Sequence, residues 1–135
     1  MRHKAKSIRL GRTSAHRKAT VSALVRALIK EQRIKTTLSK AKLARSEAEK
    51  MVTLARKGTL TARRSVASAL SDGPHVKTLF EVIVPQCKGR SGGYTRIVKL
   101  GRRPSDSSEM AILEWIGAPS PADAKAEAAP VAKKA

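Results

Sequence analysis

His3, His16, His75 and Cys87 could bind zinc through imidazole nitrogen or thiolate sulfur. Their spacing matches no structural zinc pattern, which needs closely paired Cys or His ligands. Nor does a catalytic group assemble. A nucleophile needs a base beside it and a third group to orient that base, and the scattered acids provide no carboxylate pair. The run Lys88-Gly89-Arg90-Ser91-Gly92-Gly93-Tyr94 has three glycines and two cations. A nucleotide-hydrolysing loop would follow its glycines with Lys and a hydroxyl residue and then open a helix; this run leads into a strand-like segment instead. Such a loop can still bring backbone N–H groups and Arg90 close to a phosphate. The chemistry open to the chain is therefore binding, with no enzymatic activity, cofactor, metal or small-molecule substrate expected.

Charge points the same way. The 135 residues hold 29 Lys and Arg against 10 Asp and Glu, a formal net charge of +19. Charges that dense repel one another in a compact chain. A polyanion relieves the repulsion, and each phosphate neutralised releases a condensed counterion. Aromatic residues are few, with only Phe80, Tyr94 and Trp115. Readers of single-stranded RNA stack bases on several exposed aromatics, so the composition favours contact with shape and phosphates. Cys87 is the sole cysteine, which excludes an internal disulfide and suits a reducing compartment. No apolar run is long enough to span a bilayer, so membrane insertion is not expected. Arg26 and Lys30 interrupt what would be the apolar region of a signal peptide. The basic, acid-free start resembles a transit peptide, but the same basic character continues along the chain.

The length suits one domain with its own core. Residues 1–13 read as a basic arm carrying Arg2, His3, Lys4, Lys6, Arg9 and Arg12, with no acid before Glu31. Runs of one sign tend to be disordered when free and to order on binding. Residues 14–117 form the expected globular domain. Ser14 is placed to cap a helix over roughly 15–32, whose apolar stripe is Val21, Leu24, Val25, Leu28 and Ile29. Arg17 and Lys18 lie largely off that stripe. Ile34, Thr36 and Thr37 mark a short strand from Arg33 to Leu38. Ser39 would cap a second helix over about 40–57, ended by Gly58. Lys40, Lys42 and Arg45 crowd its first turns, where the helix dipole favours acids, and that inversion implies another demand on them.

Thr61 would cap a third helix reaching about Leu70, with Arg63 and Arg64 outward, and Asp72-Gly73-Pro74 reads as a turn. Val76, Leu79, Phe80 and Ile83 keep helical spacing, so a fourth helix is expected to run to about Val84 and to stop at Pro85. Tyr94 to Leu100 and Met110 to Ile116 alternate, predicting an antiparallel hairpin. Residues 118–135 are rich in Ala, Pro and Lys with little to bury, and disorder is expected there.

Three stretches in order resemble the bacterial large-subunit ribosomal protein seventeen family. The first is Met1-Arg2-His3-Lys4 with Leu10-Gly11-Arg12 and His16-Arg17. The second is Ile34-Lys35-Thr36-Thr37 with Lys40-Ala41-Lys42 and Arg45. The third is Ser91-Gly92-Gly93-Tyr94-Thr95-Arg96-Ile97, and the likeness runs over about residues 1–116. One departure is Arg103-Pro104-Ser105-Asp106, where the family often has a glycine before the aspartate. The resemblance implies a two-layer α/β (α+β) domain, with the helices on a small mixed sheet. It also implies a cytoplasmic place in the large ribosomal subunit, on the face where the nascent chain emerges. Large-subunit rRNA and neighbouring ribosomal proteins would be its partners.

Three phosphate-facing patches are expected on this reading. The arm, His16, Arg17 and Lys18 form the first; Lys35, Thr36, Thr37, Lys40, Lys42 and Arg45 form the second. Lys88, Arg90, Gly92, Gly93, Tyr94 and Arg96 form the third, with Arg63 and Arg64 as further contacts. Hydroxyls and backbone N–H groups position a protein on a sugar-phosphate chain without reading bases. The competing reading is a DNA-binding architectural protein of the nucleoid type, which shares the charge. Such proteins often carry an apolar wedge that kinks the duplex, and no wedge is evident. A membrane-surface or acidic-protein adaptor is a weaker fit, because the basic residues are not confined to one helix.

Overall fold

The computed structural model describes residues 8–71 and 73–117. Arg2, His3, Lys4 and Lys6 of the arm, Asp72, and the expected disordered tail 118–135 lie outside those residues. The described chain runs α1 (Ser14–Glu31), β1 (Arg33–Thr37), α2 (Leu38–Ala55), α3 (Leu60–Leu70), α4 (Gly73–Thr78), a π-helical turn (Leu79–Ile83), α5 (Val84–Gln86), β2 (Thr95–Arg102) and β3 (Glu109–Trp115). Helices cover one face of a three-stranded sheet in the order β1-β3-β2. Both pairings are antiparallel, so the sheet is not the mixed one that the resemblance implied. The β2–β3 hairpin is formed as its alternation predicted, with a register shift between Lys99 and Gly101.

The helices begin one or two residues earlier than their hydroxyl residues suggested. Thr13, not Ser14, caps α1, its hydroxyl accepting from the His16 N–H. Thr59, not Thr61, caps α3 by accepting from the Ala62 N–H at 3.2 Å. Thr37 takes the N-cap position of α2 with no side-chain bond, displacing Ser39 into the first turn. In each case the first extended residue before the helical run takes the cap, because a cap needs non-helical backbone.

The fourth helix departs further. Gly73 and Pro74 open α4 instead of forming a turn, and the reversal before them uses Ser71 in the left-handed region. Pro85 lies inside the last helical turn and does not end the helix at Val84. The π turn explains how. It carries the Val84 N–H onto the Leu79 carbonyl, five residues back. The widened spiral then accommodates a proline that has no N–H to give.

The core is built around α2, which packs against α1, α3, the π turn and the inner sheet face. Ala41, Ala44, Ala48 and Ala55 of α2 are all buried at helical spacing, and these small side chains let α2 lie close to its neighbours. Replacing Ala44 with leucine is expected to destabilise the fold by about 1–3 kcal/mol through overpacking, read from urea melts. Ala111, Leu113 and Trp115 of β3 point inward. Trp115 is the long-range fastener: its indole Nε1–H donates to the Leu28 carbonyl of α1 at 3.0 Å. The opposite sheet face, with Lys35, Val98 and Ile112 in register, has no helix over it among the described residues.

The turn after β2, where the resemblance led to a glycine being expected, is held by an ionic clasp. Asp106 receives two hydrogen bonds from the Arg103 guanidinium, at 2.9 and 2.6 Å. Ser108 adds a backbone bond at 3.2 Å and a hydroxyl bond at 2.8 Å. Ser107 takes positive φ in this turn. The hydrogen bond from Arg103, then those from Ser108, hold the Asp106 carboxyl well below the usual carboxylate range. A depressed folded pKa favours the ionised clasp above the ordinary aspartate pKa; that contribution fades only as pH falls toward the lower folded value. The Asp106 carboxyl carbon is therefore expected to stay in its ionised position at pH 3 in a carbon-13 NMR titration, while ordinary carboxyls protonate.

Candidate nucleic-acid interface

The part of the arm that is described has a shape of its own. Leu10 and Gly11 both take positive φ, and the Arg12 N–H donates to the Arg9 carbonyl at 3.2 Å. This tight turn, with the φ signs of a primed type, sets Arg9 and Arg12 at its two ends. It leads directly into α1, where His16 and Lys18 are exposed and Arg17 is half-buried. The first patch is thus continuous along the described chain, from Arg9 to Lys18.

The second patch is only partly presented. Lys35 and Lys42 are exposed and Lys40 is half-buried, at the end of β1 and the start of α2. Thr36 is buried on the inner sheet face opposite Ala111, so its hydroxyl is not offered to a phosphate. Strand alternation is the cause: Lys35 and Thr37 face out, which turns Thr36 in. Arg45 is exposed, but its guanidinium bonds Glu49 at 3.1 Å. The other carboxylate role of Glu49 is internal, since it accepts from the Thr95 hydroxyl at 3.0 Å.

The third patch is held from below. Tyr94 is 1% exposed and belongs to the core, so it is not a stacking platform beside the glycines. Its hydroxyl instead accepts a hydrogen bond from Arg56 at 2.7 Å, and the same guanidinium donates to the Arg90 carbonyl. The loop that carries Lys88, Arg90, Gly92 and Gly93 is thereby tied to the end of α2. Sequence reasoning missed Arg56, because a cation near a helix C-terminus is ordinary and its partner lies 38 residues away. Tyr94→Phe removes one acceptor while keeping the ring, and is expected to cost about 1 kcal/mol in a urea melt. Arg96 is exposed, yet Glu114 holds it at 2.6 Å and also pairs with Arg33 at 3.3 Å.

On α3, Arg64 is exposed, and Arg63 lies over the Phe80 ring at 4.8 Å from its centre. Of the residues expected at the site and described here, Arg45, Arg63 and Arg96 thus have internal partners, and Thr36 and Tyr94 are buried. The remaining cations have no acidic partner among the described residues. Electrostatics at the helix starts reinforces them. None of α1, α2 and α3 has an acid in its first turn, where the open N–H groups and the dipole favour an anion.

The other candidate chemistry does not assemble. Among the described residues no three His, Cys, Asp or Glu are placed to hold a metal. Cys87 is fully buried, and burial pushes its thiol up despite the nearby Arg90 and Arg56 charges. Among the same residues no helix is long and apolar enough to cross a membrane.

A family model described as ribosomal protein L17 matches residues 20–116. The chain is 50% identical over 115 residues to the large ribosomal subunit protein bL17 of Methylacidiphilum infernorum, covering 85% of this chain and 88% of the relative. It is 52% identical over 108 residues to the protein of the same name from Desulforudis audaxviator, covering 80% and 96%. Identity to the Koribacter versatilis protein of that name is 44% over 137 residues, covering 100% and 85%.

Proposed function

This chain belongs to the ribosomal protein L17 family, and from that premise we propose that it seats on large-subunit rRNA through three basic surfaces near the nascent-chain exit face. Membership makes it a bacterial, RNA-binding structural component of the large ribosomal subunit and not an enzyme. The surfaces are the Arg9–Lys18 segment, the Lys35–Lys42 segment and the loop carrying Lys88 and Arg90. Arg2, His3, Lys4 and Lys6, outside the described residues, add cations to the first segment. Neighbouring large-subunit proteins complete the surroundings, and the ribosome in the cytoplasm is its location.

The observation that carries this reading is the set of cations in those three segments that have no acidic partner among the described residues. The fold pairs Lys30, Arg33, Arg45, Lys50, Arg96 and Arg103 with acids, and the cations of those three segments are left to an external polyanion. Binding of this kind positions a protein and orders the RNA around it. Its energy comes mainly from counterion release and is therefore salt-dependent.

Ultraviolet crosslinking in living cells, followed by sequencing of the attached nucleic acid, tests the proposal. Crosslinks concentrated at a few large-subunit rRNA sites bordering the exit are the expected result. Crosslinks spread over DNA would replace it with the architectural reading. Crosslinks to rRNA far from the exit would remove the location and keep the partner.

A further inference from the structure

Between α1, α2 and α3 lies an open cleft of about 650 Å³, within the size range of clefts that take a small organic ligand. We propose that this cleft receives a single unstacked nucleotide of the bound RNA, with its phosphate against α1 and its base on the apolar floor. The inference rests on the RNA reading above and adds to it a site for one particular nucleotide.

The walls differ in chemistry. Lys18, Ser22 and Arg26 recur every four residues along α1 and so share one stripe of its surface. Arg17 joins them, and neither Arg17, Lys18 nor Arg26 has an acidic partner among the described residues. The acid in the cleft, Glu47, is already held by Lys50 at 3.0 Å. The electrostatic balance inside therefore favours an anion on the α1 side.

The floor is apolar. Leu43 and Met51 of α2 lie two helical turns apart and reach the cleft with Val21 of α1. A thioether and a branched alkyl group offer a planar base a polarisable surface, which removes the need for an aromatic. The remaining wall is the C-terminal end of α3, at Ser68, Ala69 and Ser71. That end of a helix is partially negative, so it repels phosphate and accepts from ribose hydroxyls and exocyclic amines. One of its carbonyls, that of Ala69, already accepts from the Ser22 hydroxyl at 2.9 Å, which fixes the spacing of α1 and α3. Cations on one side, acceptors on the other and an apolar floor between them match a nucleotide from phosphate to base. An acidic peptide could use the cations and the acceptors, but a poly-glutamate chain offers no planar base to the apolar floor.

The test is a heteronuclear NMR titration of the full chain with the four nucleoside 5′-monophosphates, inorganic phosphate and a short poly-glutamate peptide. The expected result is saturable shifts in residues 17–26, 43–51 and 68–71, with at least one monophosphate binding about tenfold or more tighter than inorganic phosphate. Arg26→Gln is expected to weaken that binding about tenfold. Ser46→Trp, at an exposed position on the cleft rim, is expected to abolish it while preserving spectral dispersion. Equal binding of inorganic phosphate, tighter binding of the peptide at the same residues, or no shift there would each overturn the proposal. Filter binding of an rRNA fragment separates the two failures. Tight, salt-dependent fragment binding with a silent cleft refutes the nucleotide site alone; absent fragment binding refutes the RNA reading itself.

Discussion

Replacing Arg9, Arg12, Lys40 and Lys42 together with glutamine is expected to weaken binding to a large-subunit rRNA fragment about a hundredfold or more near physiological salt. The four belong to two of the proposed surfaces and have no acidic partner among the described residues, so their loss leaves no carboxylate buried or unpaired. Each phosphate contact removed lowers the slope of log affinity against log salt by about 0.7–0.9, so the slope should fall by about three. Stability of the free protein should hold or rise, because the self-repulsion of a chain at +19 is reduced. That opposite sign is what distinguishes an interface from a structural role. An unchanged slope would remove these two surfaces from the proposal, whatever happened to affinity.

The largest effect on the fold itself is expected from Trp115→Ala, at about 3–5 kcal/mol. Trp115 is 2% exposed and is the largest of the buried side chains. The substitution empties its volume and leaves the Leu28 carbonyl without its indole donor. Domains of this kind have about 5–15 kcal/mol of stability in all, so the variant approaches unfolding at 37 °C. Far-ultraviolet circular dichroism against urea is the measurement, since the substitution removes the only tryptophan. Trp115→Phe should lose less, because most of the packing volume remains and the cost is chiefly the hydrogen bond. Equal losses for the two variants would assign the role of Trp115 to the bond and not to the packing.

Much of this protein was legible in its sequence because it rests on local periodicity. Val21, Leu24, Val25, Leu28 and Ile29 predicted the buried side of α1; four of them are buried and Leu24 is half-buried. Gly58 was readable as the stop after α2, and it takes positive φ there. The alternation from Tyr94 to Ile116 predicted a hairpin, and the strands pair antiparallel. The family and the excess of cations follow from residue types in order, which need no third dimension.

Only the tertiary structure decided which of those residues are available. Thr36 and Tyr94 stand inside motifs that read as binding segments, but β-alternation turns one inward and core packing takes the other. Arg45 and Arg96 read as free cations until Glu49 and Glu114, brought close by helix turn and strand register, paired with them. Arg56 and the loop it ties, the π turn that admits Pro85, and the cleft walled by three helices all depend on neighbours distant in sequence. Composition pointed to a polyanionic partner, since charge sums along a sequence. Which charges remain to meet it is a matter of distance between side chains, and distance is set by packing.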